Sequence, residues 1–572
     1  MPVHNSDVEE IFNRVADLLG IEGANAFRVR AYRNAARTIG GLSRGLADMV
    51  EAGEDLTELP GVGEDLAGKI EEILETGGLA QLAEIEQRTP PELAELLKVS
   101  GLGPKRVKVL REELGITSLD ELERAAKAGQ IRQLRGFGEK IEASILKDLE
   151  RVREDAGRTS LAVVEQVAEP LADYLRRIKG IDRVMVAGSY RRRQETVGDL
   201  DILATGDDGA EVIERFTQYE DVAEIVSQGE TRSTVILRSG LQVDLRVVAS
   251  ESYGAALLYF TGSKAHNIKL RNMALDWGLK TNEYGVFEGQ DRIAGEREEE
   301  IYALFGLPLI PPELREDRGE IEAAQGGTLP ELVTLDDIRG DLQMHTDSSD
   351  GHATLEEMAR AVQDLGYEYA AITDHSTYIA VTQGLDAEGL ARQIDAIDRL
   401  NEKLEDLVLL KGIEVDILED GSLDLPDDSL KRVDLTVCSI HSKFDLSREE
   451  QTERIIRAMD NPYFTILAHP TGRLIGRRAP YDVDMERVME AALERGCFLE
   501  VNAYPERLDL NDVHAKMAKE MGLKLVISTD AHGAGDLAYM RYGVGQARRG
   551  WLEAHDVLNT CSLSDLRLLL RR

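Results

Sequence analysis

Gly188-Ser189-Tyr190-Arg191-Arg192-Arg193-Gln194-Glu195-Thr196-Val197-Gly198-Asp199-Leu200-Asp201 sets a glycine-serine turn shortly ahead of two carboxylates separated by one apolar residue. Side chains alternate along a strand, so Asp199 and Asp201 share one face while Leu200 turns to the core. Two carboxylates on a face suit a pair of Mg²⁺ ions, which stabilise the attacking and leaving oxygens of an in-line displacement at phosphorus. A third carboxylate, Asp244, lies in Leu241-Gln242-Val243-Asp244-Leu245-Arg246-Val247-Val248, another alternating pattern that can lie beside the first. Residues 184–187 read as a strand that Gly188 and Ser189 end. The turn would offer backbone N–H groups and a hydroxyl to a triphosphate, with Arg192 adding charge-assisted hydrogen bonds. Asp-x-Asp by itself is an ordinary acidic turn; the turn ahead of it and the third carboxylate point to nucleotidyl transfer.

Two further patterns flank this stretch. Downstream, Tyr259-Phe260-Thr261-Gly262-Ser263 is followed by Asn267 and Arg271. Gly262 would let the backbone approach a sugar, the two rings would crowd a ribose 2′ position, and Asn267 and Arg271 could donate to minor-groove acceptors. Upstream, Gly61-Val62-Gly63 (after Leu59-Pro60), Gly101-Leu102-Gly103 (after Ser100) and Gly136-Phe137-Gly138 (after Arg135) repeat one turn, each followed by helical apolar spacing. The pattern is helix, tight glycine turn, second amphipathic helix, with free N–H groups that can face a DNA phosphate without reading sequence. Lys105, Arg106 and Lys140 follow two of the turns.

On these motifs the chain resembles the family X DNA polymerases, the DNA polymerase beta group, with helix-hairpin-helix modules ahead of the palm. The resemblance implies that Asp199, Asp201 and Asp244 are the catalytic carboxylates. It implies that Gly188, Ser189, Arg192, Gly198, Tyr259, Phe260, Gly262, Asn267 and Arg271 meet the nucleotide, and that Gly61, Gly63, Gly101, Gly103, Gly136 and Gly138 meet DNA phosphates. Lys264 stands where the beta enzyme carries an acid. Ala31-Tyr32-Arg33 and the first hairpin resemble that family's small lyase domain. Lys69 falls on its Schiff-base position, although Asp65 and Arg28 replace lysines there.

The C-terminal half repeats a different theme: short apolar runs ending in metal-ligand residue types. They lead in turn to His345, to His375 after Asp374, to Glu414 (after 407–413), to His441, to His469, and to Asp530 and His532. Helical stretches such as 355–365 and 483–495 separate them, and in a parallel barrel the strand ends converge on one face. Imidazoles with carboxylates suit Zn²⁺, Mn²⁺ or Fe²⁺. This half resembles the polymerase and histidinol phosphatase (PHP) domain, a distorted barrel with a polynuclear phosphoesterase centre. The resemblance implies His345, Asp350, His375, Glu414, His441, His469, Asp530 and His532 as ligands of two or three Mn²⁺ or Zn²⁺ ions. The usual His-x-His opening is Gln343-Met344-His345 here.

The expected architecture is therefore multidomain: a helical helix-hairpin-helix region, an α+β nucleotidyltransferase palm with a thumb, and a distorted (β/α) barrel. The expected boundaries are 1–85, 86–155, 156–248, 249–315, a linker at 316–338, and the barrel at 339–572. Three scattered cysteines, Cys438, Cys497 and Cys561, fit a reducing cytoplasm, and neither a signal peptide nor a membrane-crossing run is visible. A net charge of −38 should repel DNA, but residues 1–50 and 101–150 are near balance, and Arg191-Arg192-Arg193 would concentrate positive charge beside the carboxylates. The excess acid also fits a salt-rich cytoplasm.

The resemblance implies DNA-directed synthesis from dNTPs on gapped or nicked DNA, for base-excision repair or end joining. It further implies 3′-5′ exonuclease or 3′-end processing by the barrel and, in related fusions, cleavage at abasic sites. A monomer, possible repair or end-joining partners and no membrane are expected. A nucleotidyltransferase acting on RNA ends, a small-phosphate phosphatase and a non-catalytic DNA-binding scaffold are the alternatives.

Overall fold

The computed structural model describes residues 3, 5–40, 46–59, 61–99, 101–155, 157–206, 208–378 and 383–571, so Pro60 and Ser100 of the hairpin motifs lie outside the described residues. Two compact units emerge: residues 1–157 with 473–480, and residues 158–472 with 481–572. Among the described residues no helix is long and apolar enough to cross a membrane.

The first unit is helical. Helices α1 (Asn5–Glu22) and α2 (Ala26–Gly40) pack Phe12 edge-on against Tyr32 with ring centroids 5.3 Å apart, in a core shared with Ile70 and Ile73 of α3 (Glu64–Thr76). A second core joins Val107 and Leu110 of α4 (Pro104–Leu114) to Ile145 of α5 (Glu139–Asp155). The hairpins differ from expectation in one respect. The limb before each glycine turn is a 3₁₀ segment rather than an α-helix: Leu56–Glu58, Pro91–Lys98 and Ile131–Gln133. Two of these limbs are only three residues long, and the third opens at Pro90-Pro91, where the rings remove N–H donors. Gly61, Gly101 and Gly136 adopt φ of +75°, +81° and +87°, the left-handed region that a side chain resists.

In the second unit, helix α6 (Leu161–Arg176) precedes a five-stranded sheet of β1 (Ile181–Val186), β2 (Asp199–Gly206), β3 (Val222–Gln228), β4 (Arg232–Leu237) and β5 (Gln242–Val248), in spatial order β1-β2-β5-β4-β3. The β2–β5 pair is parallel and its neighbours antiparallel, with Asp201 directly opposite Asp244. One edge strand, β3, leaves Ile225 and Val226 exposed at 47% and 54%. Between β1 and β2 the chain makes the short helix α7 (Gly188–Arg191). Helices α8 (Tyr253–Thr261) and α9 (Lys264–Asp276) then meet at Gly262, ahead of a small antiparallel sheet within residues 279–294.

The stretch 316–338, expected as a linker, instead carries helix α10 (Glu320–Gly326), whose Ile321 and Ala324 join the apolar core that holds Leu270 and Tyr302. Its charged residues look like a connector in sequence, yet Glu320 is fully buried against His266.

The remaining residues form the distorted barrel. Strands β6 (Gly340–Asp341), β7 (Tyr369–Ile372) and β8 (Val408–Lys411) make a three-stranded parallel sheet. Strands β9 (Glu414–Asp416), β10 (Val437–Ser439), β11 (Ile466–Leu467), β12 (Phe498–Asn502) and β13 (Leu525–Ser528) make a five-stranded one. Parallel bridges between His375 and Glu414 and between Met344 and Ala531 connect the two sheets. The run 407–413 is thus not one strand ending in Glu414. It breaks at Gly412, where a Cβ would lie 2.7 Å from Thr373 Cγ2, and Glu414 opens the next strand. Helix α11 (Met540–Arg549) follows the loop that carries Asp530 and His532.

Candidate active sites

The first site grows from the register of β2 and β5. Leu200 is fully buried while Asp199 and Asp201 take the opposite face, as alternation requires. Burial, and then the charges of Asp199 and Asp244, push Asp201 up to about 7, so the three carboxylates share one electrostatic neighbourhood. Thr234 Oγ1 donates to Asp244 Oδ1 at 2.5 Å and Gln242 Nε2 to Asp244 Oδ2 at 2.7 Å, fixing that carboxylate from two sides. Arg246, on the same face of β5, lies 4.6 Å from the Phe260 ring centroid. Sequence reading passed over Thr234, Gln242 and Arg246, although the last two repeat with Asp244 at a period of two. A Cβ at Gly188 would stand 2.6 Å from Asp201 Oδ2, so the turn and the carboxylate are in closest contact. This buried crowd of like charges fits divalent cations, which would offset both the burial and the repulsion that raise Asp201.

The arginine triplet does not form an open positive patch. Arg191 pairs with Glu298 at 2.6 Å, Arg192 with Glu316 at 3.0 Å and Arg193 with Glu165 at 3.4 Å. Half-buried guanidinium groups need such partners. Arg192 also donates to the Thr261 carbonyl at 2.6 Å, and its Nη1 would lie 3.2 Å from a Cβ on Gly262, so the two turns of the site touch. Ser189 is half-buried on α7, and Gly198 faces Arg158. Tyr259 and Phe260 pack edge-on at 5.1 Å on α8, which is helical up to Gly262. Asn267 Nδ2 donates to the Tyr259 carbonyl at 2.7 Å, and Tyr259, Asn267 and Arg271 line one pocket with Leu258 and Asn282.

In the helical unit, Gly63 and Gly103 cap α3 and α4 without any side-chain hydrogen bond. That leaves helix N-termini with donors to offer. Gly138 directly precedes α5. Lys69 pairs with Asp65 and lies 5.2 Å from the Tyr32 ring centroid. Burial works against its charge, but the hydrogen bonds to Asp65 and Tyr32 prevail and hold the ammonium above its ordinary value. A protonated amine has no lone pair for an aldehyde carbon.

The second site gathers every barrel residue expected. His345, Asp350, His375 and His532 form one group of mutually close ligand atoms, His375, Glu414 and His441 another, and His345, Glu414 and Asp530 a third. Glu414 is the hub. Its Oε2 lies 3.3 Å from His345 Nε2 and 3.6 Å from His375 Nδ1, and its Oε1 lies 3.5 Å from His441 Nε2 and 3.4 Å from His469 Nε2. Asp350 is a second hub, 3.5 Å from His532 and 3.7 Å from His375. Buried His345 Nδ1, His375 Nδ1, His469 Nδ1 and Glu414 Oε1 have no hydrogen-bond partner, an arrangement that costs energy unless cations complete it. Burial pushes His375 down to about 4 and lowers His469, favouring the neutral imidazole that binds a metal. Burial also opposes charge on His345, yet hydrogen bonds to Asp530 and Glu414 raise it well above its usual range. His532 is raised as well, with Asp350 and Asp530 outweighing its burial, so His345 and His532 replace in part the charge that ions would bring.

Supporting residues were missed in the sequence. Asp416, two positions after Glu414 on the same strand face, lies 3.2 Å from His441 Nδ1. Asp374 accepts from the Thr346 N–H at 2.8 Å and from Ser349 Oγ at 2.5 Å, bracing the loop between His345 and Asp350. Asn502 donates to Asp530 Oδ2 at 3.1 Å, and Arg507 Nε approaches the same oxygen at 3.7 Å. Such partners orient ligands. Gln343, two residues before His345, donates through Nε2 to Glu414 Oε2 at 3.0 Å.

Family models match along the chain: a helix-hairpin-helix domain at residues 3–79, a SAM-like helix-hairpin-helix tandem at 93–151, the DNA polymerase beta palm at 161–259, the DNA polymerase beta thumb at 256–316 and the PHP domain at 341–503. The DNA polymerase/3'-5' exonuclease PolX of Bacillus subtilis (strain 168) is 39% identical over 574 residues, covering both chains in full. This chain is a member of the PHP-containing family X DNA polymerases. A probable phosphatase of Thermoanaerobacter sp. (strain X514) is 34% identical over 232 residues, 38% of this chain and 89% of that protein. DNA polymerase lambda of Arabidopsis thaliana is 24% identical over 349 residues, 55% of this chain and 62% of its own length. In this family X polymerase the PHP model ends at residue 503, so Asp530 and His532 join the cluster through the fold alone.

Proposed function

We propose that this family X polymerase extends a primer across short gaps in DNA using dNTPs, and that its barrel removes nucleotides or blocked groups from 3′ ends. The observation that carries the first half is the pairing of Asp201 with Asp244 on adjacent parallel strands, with Asp199 two residues away. Asp199, Asp201 and Asp244 would hold two Mg²⁺ ions, and bound ions of this kind neutralise charge on the oxygens exchanged at phosphorus. The chain's own part is placement. Thr234 and Gln242 hold Asp244, Gly188 and Ser189 present the turn to the triphosphate, and Arg192 with Gly262 closes it. Tyr259 and Phe260 crowd the sugar, and Asn267 and Arg271 reach toward the base pair. The hairpin turns and the helices that follow them grip the DNA backbone, and Lys69, charged and paired, serves phosphate contact rather than Schiff-base chemistry.

For the barrel, His345, Asp350, His375, Glu414, His441, His469, Asp530 and His532 would hold two or three Mn²⁺ or Zn²⁺ ions, which when bound lower the pKa of a coordinated water. The neutral imidazoles of His375 and His469 and the shared Glu414 are the supporting observations. We further propose base-excision repair or end joining as the setting, a cytoplasmic monomer as the form, and abasic-site cleavage as an additional barrel activity.

The test uses a one-nucleotide gapped duplex with dNTPs and Mg²⁺ or Mn²⁺, read for extension and shortening. Asp201→Asn should reduce extension by at least about a thousandfold and leave shortening intact. His441→Ala should do the reverse and lower bound metal. Loss of both activities in either folded variant would refute two separate sites.

A further inference from the structure

Helix α11 belongs to the barrel, yet its start meets α6 beside Arg193 and its end meets the turn that carries the arginine triplet. At its start Arg541 Nη2 donates to Glu165 Oε2 at 3.0 Å, Tyr542 donates to the same carboxylate, and Glu165 is also the partner of Arg193. Midway, a Cβ at Gly545 would lie 3.7 Å from the Arg193 side chain. At its end stands Arg549, buried at 4% exposure. Its Nη1 donates to the Arg192 carbonyl at 2.8 Å and to Glu316 Oε1 at 2.9 Å, and its Nη2 donates to Asp512 Oδ2 at 2.6 Å. Glu316 Oε1 accepts in addition from Arg192 Nε at 3.0 Å and Gln194 Nε2 at 2.6 Å. One carboxylate oxygen therefore ties Arg549 to the Arg192 guanidinium, while the Arg549 fork also fixes the Arg192 backbone. The held carbonyl directly precedes Arg193, whose φ of +54° lies in the left-handed region. A backbone that costs energy to hold needs such external support.

We propose that Arg549 is a positioning residue of the polymerase site: from the hydrolytic domain it holds Arg192 in the orientation that grips the incoming triphosphate, and so sets dNTP affinity. The inference rests on the reading of Arg192 as a nucleotide contact. Arg549 acts through Arg192 and touches no substrate. A planar fork with donors for two carboxylates and a carbonyl is required, which lysine cannot reproduce.

The experiment measures single-nucleotide insertion on a gapped duplex, in the full chain, for wild type, Arg549→Met, Arg549→Lys, Arg192→Ala and the double variant Arg192→Ala/Arg549→Met. Single-strand shortening by each preparation serves as the measure of an intact barrel. Arg549→Met should raise the KM for dNTP about tenfold with kcat within about threefold, Arg549→Lys should fall between, and shortening should not change. In the Arg192→Ala background, Arg549→Met should add nothing further. Fully additive effects, an unchanged KM in Arg549→Met beside a raised KM in Arg192→Ala, or loss of shortening with extension in both Arg549 variants would each overturn the proposal. An unchanged KM in Arg192→Ala would instead remove the reading of Arg192 on which it stands.

Discussion

Gly188 sits at φ +61°, and the space where a Cβ would go is filled by Asp201 Oδ2 at 2.6 Å. Alanine there meets two penalties, a left-handed backbone worth roughly 1–2 kcal/mol and a clash with a carboxylate backed by the sheet. Since the carboxylate must yield, Gly188→Ala should cut extension by about tenfold to a hundredfold while shortening stays at the wild-type rate. Primer extension and a thermal melt on one preparation check this; full extension activity would mean that Asp201 tolerates displacement. The same residue shows what sequence conveys at this scale. A Gly-Ser turn before Asp-x-Asp was legible because strand alternation prints a period of two. The pairings of Arg191 with Glu298 and Arg192 with Glu316 were not, since the partners lie 107 and 124 positions away and nothing local announces them.

Helix α9 carries Asn267 and Arg271 and is anchored from beneath by His266, fully buried, with Nδ1 2.7 Å from Glu320 Oε1 and Nε2 2.8 Å from Tyr302 Oη. Burial lowers His266 below its ordinary value, with Glu320 opposing and Arg315 assisting. The unfolded chain takes up a proton near pH 6.5 that the folded chain refuses. This contribution to stability is therefore complete above pH 6.5 and is lost as pH falls below it, by at most about 1.4 kcal/mol per pH unit. His266→Gln should lower the melting temperature at pH 7.5 and shrink the further drop seen at pH 5.5; an equal drop in both proteins would assign the pH dependence elsewhere. The helix hairpins and the convergence of the barrel's histidines and carboxylates were legible because glycine turns and strand-end histidines recur. The 3₁₀ limbs, the strand break at Gly412 and the buried α10 were not. Each depends on packing that composition conceals, and Glu320 reads as a surface residue until its partner is known.

At the scale of the molecule, 106 acidic residues against 68 basic ones leave a net charge of −38. With the arginine triplet neutralised, the self-repulsion is largely a surface effect, and salt should relieve it. Raising KCl from 0.1 to 1 M shortens the Debye length from about 10 to about 3 Å, so the melting temperature should rise. Calorimetry across that series checks it, and a falling melting temperature would remove the case for a salt-adapted protein. The exposed edge of the palm sheet gives that charge a second meaning. Open hydrogen-bonding groups next to Ile225 and Val226 are an invitation to strand exchange between neighbouring copies. Mutual repulsion holds such copies apart, so conditions that tighten each folded chain also thin the barrier to clumping, and storage of this protein trades one against the other.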